Sequence, residues 1–250
     1  MNLPSVQLAQ AADELTQRLA DLGSEERAAW DRDYLHSEMT HLGVPLPELR
    51  RAVSAVRRAL PPLTRDDVVA LAGLLWRGTV YDHRQAAVQL LAQQARLLTP
   101  ADLPTLEAML RAARTWALVD TLAVHVAGRI TLQHREAVGA VIDGWAGDED
   151  FWIRRSALLV LLPGIRADTP DLERLDRYAE AMVGESEFFV RKAIGWVLRE
   201  TSRSDDRFVT AWVEARIDRV SGVTLREAVR HLPAADRDRL TRAYRQAHGR

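Results

Sequence analysis

The chain has 250 residues, 47% of them hydrophobic, so it is long enough to bury a sizeable core. Its formal net charge of −1 excludes binding to nucleic acid through a strongly basic overall charge, so any polyanion site must come from local segregation of charge. The absence of cysteine excludes disulfides, thiol nucleophiles and cysteine-ligated zinc, and it fits a reducing cytoplasm.

The composition of the chain also argues against export and against a membrane anchor. Residues 1–22 mix Gln, Asp, Glu and Arg with apolar residues, which is unlike a signal peptide. No uninterrupted apolar run approaches about 18 residues, the length that a membrane-spanning helix needs. We therefore expect a cytoplasmic protein that does not bind membranes.

Apolar residues recur at helical spacing in almost every segment, and no convincing alternating strand occurs. Glycine and proline mark several of the predicted helix ends, as at Gly23, Gly43 and Pro61. In chain order, the predicted helices cover about 6–22, 24–41, 48–60, 65–77, 81–98, 101–113, 115–130, 134–147, 150–162, 169–184, 186–202, 205–217, 222–232 and 234–248. The sequence therefore predicts an all-α protein.

A short motif, Arg-x-Ala, recurs along the helical chain. Its copies begin at Arg50, Arg84, Arg155, Arg191 and Arg226. The steps between them are 34, 71, 36 and 35 residues, and 71 is two repeats, so the missing copy falls at Asp120. A period of about 35 residues is typical of HEAT-like helical pairs, which stack into a curved α-solenoid with a concave surface. We expect one domain over 1–250, with an N-terminal helix in 1–23 and about six helical pairs in 24–250.

The repeated arginines are expected to form a cationic stripe facing one groove, interrupted by Asp120. Arginine forks match phosphate oxygens bidentately, although a GC-rich coding bias also accounts for the excess of arginine. Asp120 could pair with the arginines and tie neighbouring repeats together. Alternatively, it could act on a substrate that carries both phosphates and a positive charge. Trp116 lies four residues earlier on the same helical face, so both side chains can reach one small target.

Four segments occur in a fixed order at spacings that are compatible with one known family. They are Tyr34–Arg51, Trp116–Asp120, Phe151–Leu158 and Phe188–Glu200. Together, over about Trp30–Leu232, they resemble the HEAT-like-repeat DNA glycosylases, the AlkD-type DNA alkylation repair enzymes. The segment Phe188–Glu200 is the most specific of the four.

The resemblance implies hydrolysis of the N-glycosidic bond of cationic alkylated purines, such as N3-methyladenine and N7-methylguanine, in duplex DNA. Base excision would proceed without flipping the lesion into a deep pocket. The implied partner is double-stranded DNA that contains alkylated bases, and no metal or organic cofactor is implied. We expect a monomer that associates with the bacterial nucleoid during repair.

The resemblance also assigns roles to individual residues. Asp120 would be the catalytic carboxylate, with Trp116 and Trp196 packing against the lesion nucleotide. Tyr34 would line the cleft, and Arg155 would hold a phosphate. The other residues expected to bind DNA are Arg154, Arg191, Lys192, Arg50, Arg84 and Arg226. Periodicity by itself would place Trp196 in a core stripe, so its functional role rests on the resemblance.

The implied chemistry suits these residue types. Loss of an alkylated purine leaves positive charge on the sugar, which a fixed carboxylate stabilises. Two unit charges about 4 Å apart at an effective dielectric of about 20 attract by about 4 kcal/mol, which corresponds to roughly 10³ in rate. Indole faces also attract cationic groups.

Two other functions stay open on the sequence. Many family members carry an acidic residue after the central Trp, where this chain has Ala117. A paralogue that binds damaged or branched DNA without catalysis is therefore one alternative. The other is a helical-repeat scaffold for protein partners, which would explain the near-neutral charge but not an arginine stripe that one aspartate interrupts.

Overall fold

The computed structural model describes residues 2–249, and these residues form no β-strand. In chain order the α-helices are α1 (Ser5–Leu22), α2 (Glu25–Leu35), α3 (Leu46–Ala59), α4 (Arg65–Trp76), α5 (Tyr81–Gln93), α6 (Leu103–Ala112), α7 (Trp116–Thr121), α8 (Gly128–Gln133), α9 (Arg135–Trp145), α10 (Phe151–Leu159), α11 (Leu162–Arg166), α12 (Leu172–Ala181), α13 (Phe188–Thr201), α14 (Asp206–Glu214), α15 (Gly222–Ala228) and α16 (Ala234–Ala247). Short 3₁₀ turns occur at Ala95–Leu97, Pro100–Asp102 and Val229–His231, and a π-helical segment spans Leu122–Ala127. The predicted all-α class is confirmed.

The chain divides into two compact units, Met1–Val126 and Ala127–Arg250. Helices α1 to α7 belong to the first unit, and α8 to α16 belong to the second. The boundary falls inside the π-helical segment, so the two units are continuous in sequence through a helical stretch.

In the first unit, α1 packs against α3 and α4, while α5 packs against α3, α4 and α7. The apolar stripe of α1 explains its place, because residues spaced by three and four positions share one face of a helix. The buried residues of that stripe are Leu8, Ala11, Ala12, Leu15 and Leu19. The polar face of α1 is left to solvent, as an amphipathic surface helix requires.

The end of α2 departs from the sequence prediction. The helix stops at Leu35 rather than at His41, and the next residue adopts a left-handed conformation with φ of 48°. The chain then turns towards α5, where the buried Asp82 carboxylate accepts the N–H groups of Leu42 (2.7 Å) and Val44 (3.0 Å). These bonds fix the segment that follows α2, and Asp82 lies 38 to 40 residues away in sequence, about one repeat.

In the second unit, α13 occupies a central position, packed against α10, α11, α14 and α15. Several polar contacts join residues that are one repeat apart in sequence. Ion pairs of this kind are Arg166–Glu200 (3.4 Å), Arg177–Asp143 (3.1 Å) and Arg216–Glu180 (2.5 Å). Contacts at separations of 34 to 36 residues agree with the predicted period of about 35.

Several helices that periodicity predicts as single are divided. The predicted helix over 150–162 comprises α10, which ends at Leu159, a turn, and only the first residue of α11. Pro163 lies in the first turn of α11 and has no N–H with which to continue α10. The predicted helix over 115–130 is α7, the π-helical segment and the first part of α8. Apolar spacing does not detect these divisions, since the apolar face continues across them.

Candidate active site and DNA-binding residues

Trp116 and Asp120 lie one turn apart on α7, as the sequence predicts. Thr115 precedes the helix in an extended conformation, with φ of −149° and ψ of 142°. Trp116 therefore begins the helix, and both its side chain and that of Asp120 are half-buried. Leu118 and Val119, on the opposite side, are fully buried and anchor α7 in the first unit. The local sequence thus directs the aromatic and the carboxylate to one partly exposed face.

The helix changes its winding immediately after this pair. The π-helical segment begins at Leu122, two residues after Asp120. Between them, the Thr121 hydroxyl donates to the carbonyl of Ala117 at 3.1 Å. π-Helical turns are rare, and they are found frequently at functional sites. Sequence periodicity gives no signal for such a turn, so this feature was not predicted.

Tyr34 contacts Trp116, which joins two of the predicted site residues in the first unit. Their ring centroids are 5.8 Å apart with an interplanar angle of 78°, an edge-to-face arrangement. Tyr34 is 54% exposed, and it lies in the last turn of α2. The two rings together form an aromatic surface that is open to solvent one helical turn from Asp120.

Sequence reasoning missed Trp30, which extends this aromatic surface. Its ring stacks on Tyr34 with centroids 4.8 Å apart and an interplanar angle of 11°, and the residue is 52% exposed. The guanidinium carbon of Arg27 lies 4.6 Å from the centroid of the Trp30 ring. The signal was available, because Trp30 and Tyr34 are four residues apart and therefore lie on one face of α2.

Two of the repeated arginines in the first unit bind other parts of the protein. Arg84 donates from Nε to the carbonyl of Gly78 (3.0 Å) and from Nη1 to the carbonyl of Ala112 (2.8 Å). Burial is the main cause that lowers the pKa of the Arg84 guanidinium, and the positive charge of Arg114 lowers it further. The group nevertheless stays protonated at neutral pH. Arg50 donates to the side-chain carbonyl of Gln89 at 2.9 Å, although it is exposed. The role of both arginines in DNA binding stays a prediction.

Arg155 is the most buried of the predicted phosphate-binding residues. It is 2% exposed, and its guanidinium donates to the backbone carbonyl of Phe189. Its guanidinium carbon also lies 5.8 Å from the Phe189 ring centroid. Arg155 thus connects α10 with α13, which is a structural role that the sequence did not indicate. Its contact with a phosphate stays a prediction.

Arg154 and Arg191 both hold the loop that precedes α13. Arg154 donates to the carbonyls of Asp148 (2.7 Å) and Glu149 (2.8 Å), and it forms an ion pair with Glu185 at 2.5 Å. Arg191 donates from Nε to the backbone carbonyl of Glu185. Much of the hydrogen-bonding capacity of Arg154 is therefore used within the protein, whereas the bond from Arg191 to Glu185 uses its Nε.

The other cationic candidates of the second unit are exposed. Lys192 is exposed, with its ammonium nitrogen 5.8 Å from the ring centroid of Phe188. Arg226 is also exposed, and it lines a cleft of about 390 Å³ together with Arg191 and Arg219. The structure thus brings Arg191 and Arg226, which are one period apart in sequence, to one open cleft.

Trp196 lies on α13 with a half-buried side chain. The guanidinium carbon of Arg166 lies 6.0 Å from the centroid of its ring. The ring is thus not enclosed in the core stripe that periodicity suggests. The predicted role of Trp196 beside a lesion stays a prediction.

The described residues contain neither a candidate metal centre nor a helix that could span a membrane. Among residues 2–249, no group of three His, Asp or Glu side chains is arranged to hold a metal ion. Over the same residues, no helix combines the length and the apolar character that spanning a bilayer requires.

Comparison with known proteins decides the family. The family profile described as "DNA alkylation repair enzyme" matches residues 15–232. The chain belongs to the DNA alkylation repair enzyme family. This membership supports a role in DNA alkylation repair, and the matched region contains all the predicted site residues. No curated protein matches the chain closely.

Solved structures share the fold of this DNA alkylation repair family member. One is a predicted DNA alkylation repair enzyme from Enterococcus faecalis, with a TM-score of 0.75 and 21% sequence identity, covering 85% of this chain and 97% of that one. Another is AlkD2 from Streptococcus mutans, with a TM-score of 0.56 and 17% identity, covering 88% of this chain and 100% of that one. At these identities the likeness concerns the fold alone.

Proposed function

We propose that this family member is a DNA glycosylase that hydrolyses the N-glycosidic bond of cationic alkylated purines in duplex DNA. The observation that carries the proposal is the placement of Asp120 one helical turn from Trp116, whose ring meets Tyr34 on a partly exposed face. N3-methyladenine and N7-methylguanine are the proposed substrates, and the reaction would form part of base excision repair of nucleoid DNA in the cytoplasm.

In the proposed reaction, the Asp120 carboxylate stabilises the positive charge that develops on the sugar. As the C1′–N bond breaks, the departing purine loses its positive charge and the sugar gains it. A carboxylate about 4 Å from that charge, at an effective dielectric of about 20, would lower its energy by about 4 kcal/mol. The same carboxylate can orient a water molecule, which adds to C1′ and releases a proton to solvent. This interaction grows during bond breaking, so it accelerates the chemical step.

The aromatic residues supply a surface that suits a cationic nucleotide. Indole and phenol faces attract cations and exclude water from the reacting bond. Because Tyr34 is 54% exposed and Trp116 and Asp120 are half-buried, the surface lies open instead of at the bottom of a deep cavity. This openness supports approach to the lesion from outside the duplex, without base flipping.

Duplex DNA is the proposed partner, bound through its backbone. With a net charge of −1, the protein would depend on local cations such as the exposed Lys192 and Arg226 and the half-buried Arg191. Contacts of this kind position a protein on DNA without reading its sequence. We therefore propose backbone binding with little sequence preference, by a monomer.

The test of this proposal is the release of N7-methylguanine by wild type and by Asp120→Asn under single-turnover conditions. Asn has nearly the same size but no charge, so the variant should keep its fold and much of its DNA affinity. We expect its release rate to fall by about 10³ if the carboxylate interaction is fully differential between ground and transition states. The matched control is Asp206→Asn, which makes the same change at a half-buried aspartate of α14 in the second unit and should leave the release rate unchanged.

Three outcomes separate the candidate functions. Release by wild type and near-complete loss in Asp120→Asn would support the glycosylase assignment. A variant rate close to that of wild type would remove Asp120 from catalysis and leave it an ion-pairing role. Salt-sensitive DNA binding without any base release by wild type would favour the non-catalytic paralogue, and the absence of both would favour a protein scaffold.

A further inference from the structure

The aromatic column on α2 consists of Arg27, Trp30 and Tyr34. These residues follow one another at spacings of three and four positions, so they lie along one face of the helix. The Trp30 ring is nearly parallel to the Tyr34 ring, at 11° and 4.8 Å between centroids. The Arg27 guanidinium carbon lies 4.6 Å from the Trp30 centroid. The column thus alternates a cation, an indole and a phenol.

The position of Trp30 within the column determines what it can contact. Arg27 precedes it by about one turn and Tyr34 follows it by about one turn, and both contact the indole ring. Trp30 is 52% exposed, and its ring-stacking partner in the described chain is Tyr34. Its contact with the aromatic surface beside Asp120 is the stack on Tyr34, which in turn contacts Trp116.

The lower end of the column is fixed to the protein. Arg27 donates from Nε to the Asp31 carboxylate at 2.9 Å, and Asp31 is only 8% exposed. This bond restrains a guanidinium that would otherwise sample many rotamers. Arg27 therefore presents a steady surface to Trp30, instead of an unrestrained side chain.

The upper end of the column has fewer restraints of its own. Tyr34 is 54% exposed and lies one residue before the end of α2, where the chain enters a left-handed turn. Besides the stack on Trp30, the ring contact of Tyr34 in the described chain is its edge-to-face contact with Trp116. Without the indole beneath it, the exposed ring could adopt other staggered rotamers.

We propose that Trp30 is a positioning residue that holds the Tyr34 ring against Trp116 and so orients the aromatic surface beside Asp120. This inference rests on the proposed glycosylase function, because it assigns the aromatic surface to the lesion. One aromatic pair of this kind changes the population of an orientation by up to about tenfold. We therefore expect loss of the indole to slow base release by about that factor.

The experiment compares Trp30→Leu, which removes the flat ring, with Trp30→Phe, which keeps one. Trp76→Leu is the matched control, because Trp76 also carries a guanidinium over its ring (Arg84, 4.9 Å) but lies on α4. The first measurement is the nuclear Overhauser effect between the rings of Tyr34 and Trp116. The second is the single-turnover release of N7-methylguanine at saturating enzyme, beside the melting temperature and the dissociation constant for unmethylated duplex.

In Trp30→Leu we expect loss of the Tyr34–Trp116 Overhauser effect and about a tenfold slower release, with duplex affinity within about twofold of wild type. Trp30→Phe should restore both signals, and Trp76→Leu should leave them unchanged at temperatures where it is folded. The inference is overturned if Trp30→Leu retains the Overhauser effect, if it retains the release rate, or if Trp30→Phe is as impaired as Trp30→Leu. Absence of release by wild type would instead reject the glycosylase function, while the Overhauser effect would still decide whether Trp30 positions Tyr34.

Discussion

At the scale of single residues, the repeated arginines differ in what surrounds each of them. Arg226 is exposed at a cleft, whereas Arg155, in an equivalent sequence position, is 2% exposed and donates to a carbonyl. A shared position in a repeat therefore does not give a shared environment. Arg155 connects helices of successive repeats, and this structural contribution can be measured separately from any contact with DNA.

Replacement of Arg155 should lower the stability of the second unit. In Arg155→Ala, the Phe189 carbonyl loses its donor and the volume of a long buried side chain is vacated. A hydrogen bond donated by a charged group contributes about 1.5–3 kcal/mol. We expect a decrease of at least that size in the free energy of unfolding, measured by urea denaturation. Arg207→Ala, on exposed surface of α14, is the control and should change stability little. Unchanged stability of Arg155→Ala would show that the contact with Phe189 contributes nothing.

At the scale of secondary-structure elements, charge pairs connect α12 with the segment that follows α14, about one repeat later in sequence. Glu180 on α12 accepts from Arg216 (2.5 Å) and from Arg219 (2.7 Å), both in the segment that follows α14. The hydrogen bonds from Arg219 and Arg216 lower the pKa of the Glu180 carboxyl from 4.5 to about 2. Because the Glu180 side chain is 40% exposed, solvent screening reduces the contribution of these pairs to stability.

The lowered pKa of Glu180 predicts how its contribution depends on pH. A carboxyl whose pKa is lower in the folded state stabilises the protein above its unfolded pKa of about 4.5, and this stabilisation is lost as pH falls through about 2. Glu180→Gln should therefore be less stable than wild type at pH 7, and the difference should shrink towards pH 2. Urea denaturation at pH 7, 4.5 and 2.5 measures the difference. Glu173→Gln, at an exposed position of the same helix, should show no such dependence. A difference that stays constant with pH would contradict the assignment.

At the scale of the whole molecule, a net charge of −1 means that the proposed DNA affinity has to come from locally exposed cations. Each phosphate contact releases a counterion, so its contribution appears in the dependence of affinity on salt. Many arginines of the second unit are already used within the protein, as Arg154, Arg174 and Arg216 illustrate. The number of effective contacts should therefore be much smaller than the number of arginines.

Arg226 offers a direct measurement of one such contact. Arg226→Gln should reduce the slope of log affinity against log salt concentration by about 0.9, the contribution of one phosphate on duplex DNA. The reduction should be the same for alkylated and unmodified duplexes, because a backbone contact does not read bases. Fluorescence polarisation between about 50 and 200 mM salt provides the slopes. Arg207→Gln, which lies on α14, serves as the comparison. An unchanged slope and affinity would remove Arg226 from the DNA-binding residues.

The sequence anticipated much of the fold because helical periodicity and a repeat period are local or regularly spaced signals. These signals predict the start of α1, the placement of Trp116 and Asp120 on one helical face, and the contacts between residues about 35 positions apart. The early end of α2 and the π-helical segment do not, since both depend on bonds or packing that apolar spacing leaves undetermined.

The sequence by itself determined the all-α class, the repeat length and, through resemblance, the family to which the chain belongs. These properties follow from the types and spacing of side chains that lie within one helical turn or one repeat of each other in sequence. Only the tertiary structure decided that Arg155 is buried, that Arg226 is exposed and that Trp30 stacks on Tyr34. Burial and ring contact depend on which atoms surround a side chain once the helices have packed, and identical residues at equivalent positions can therefore have different environments.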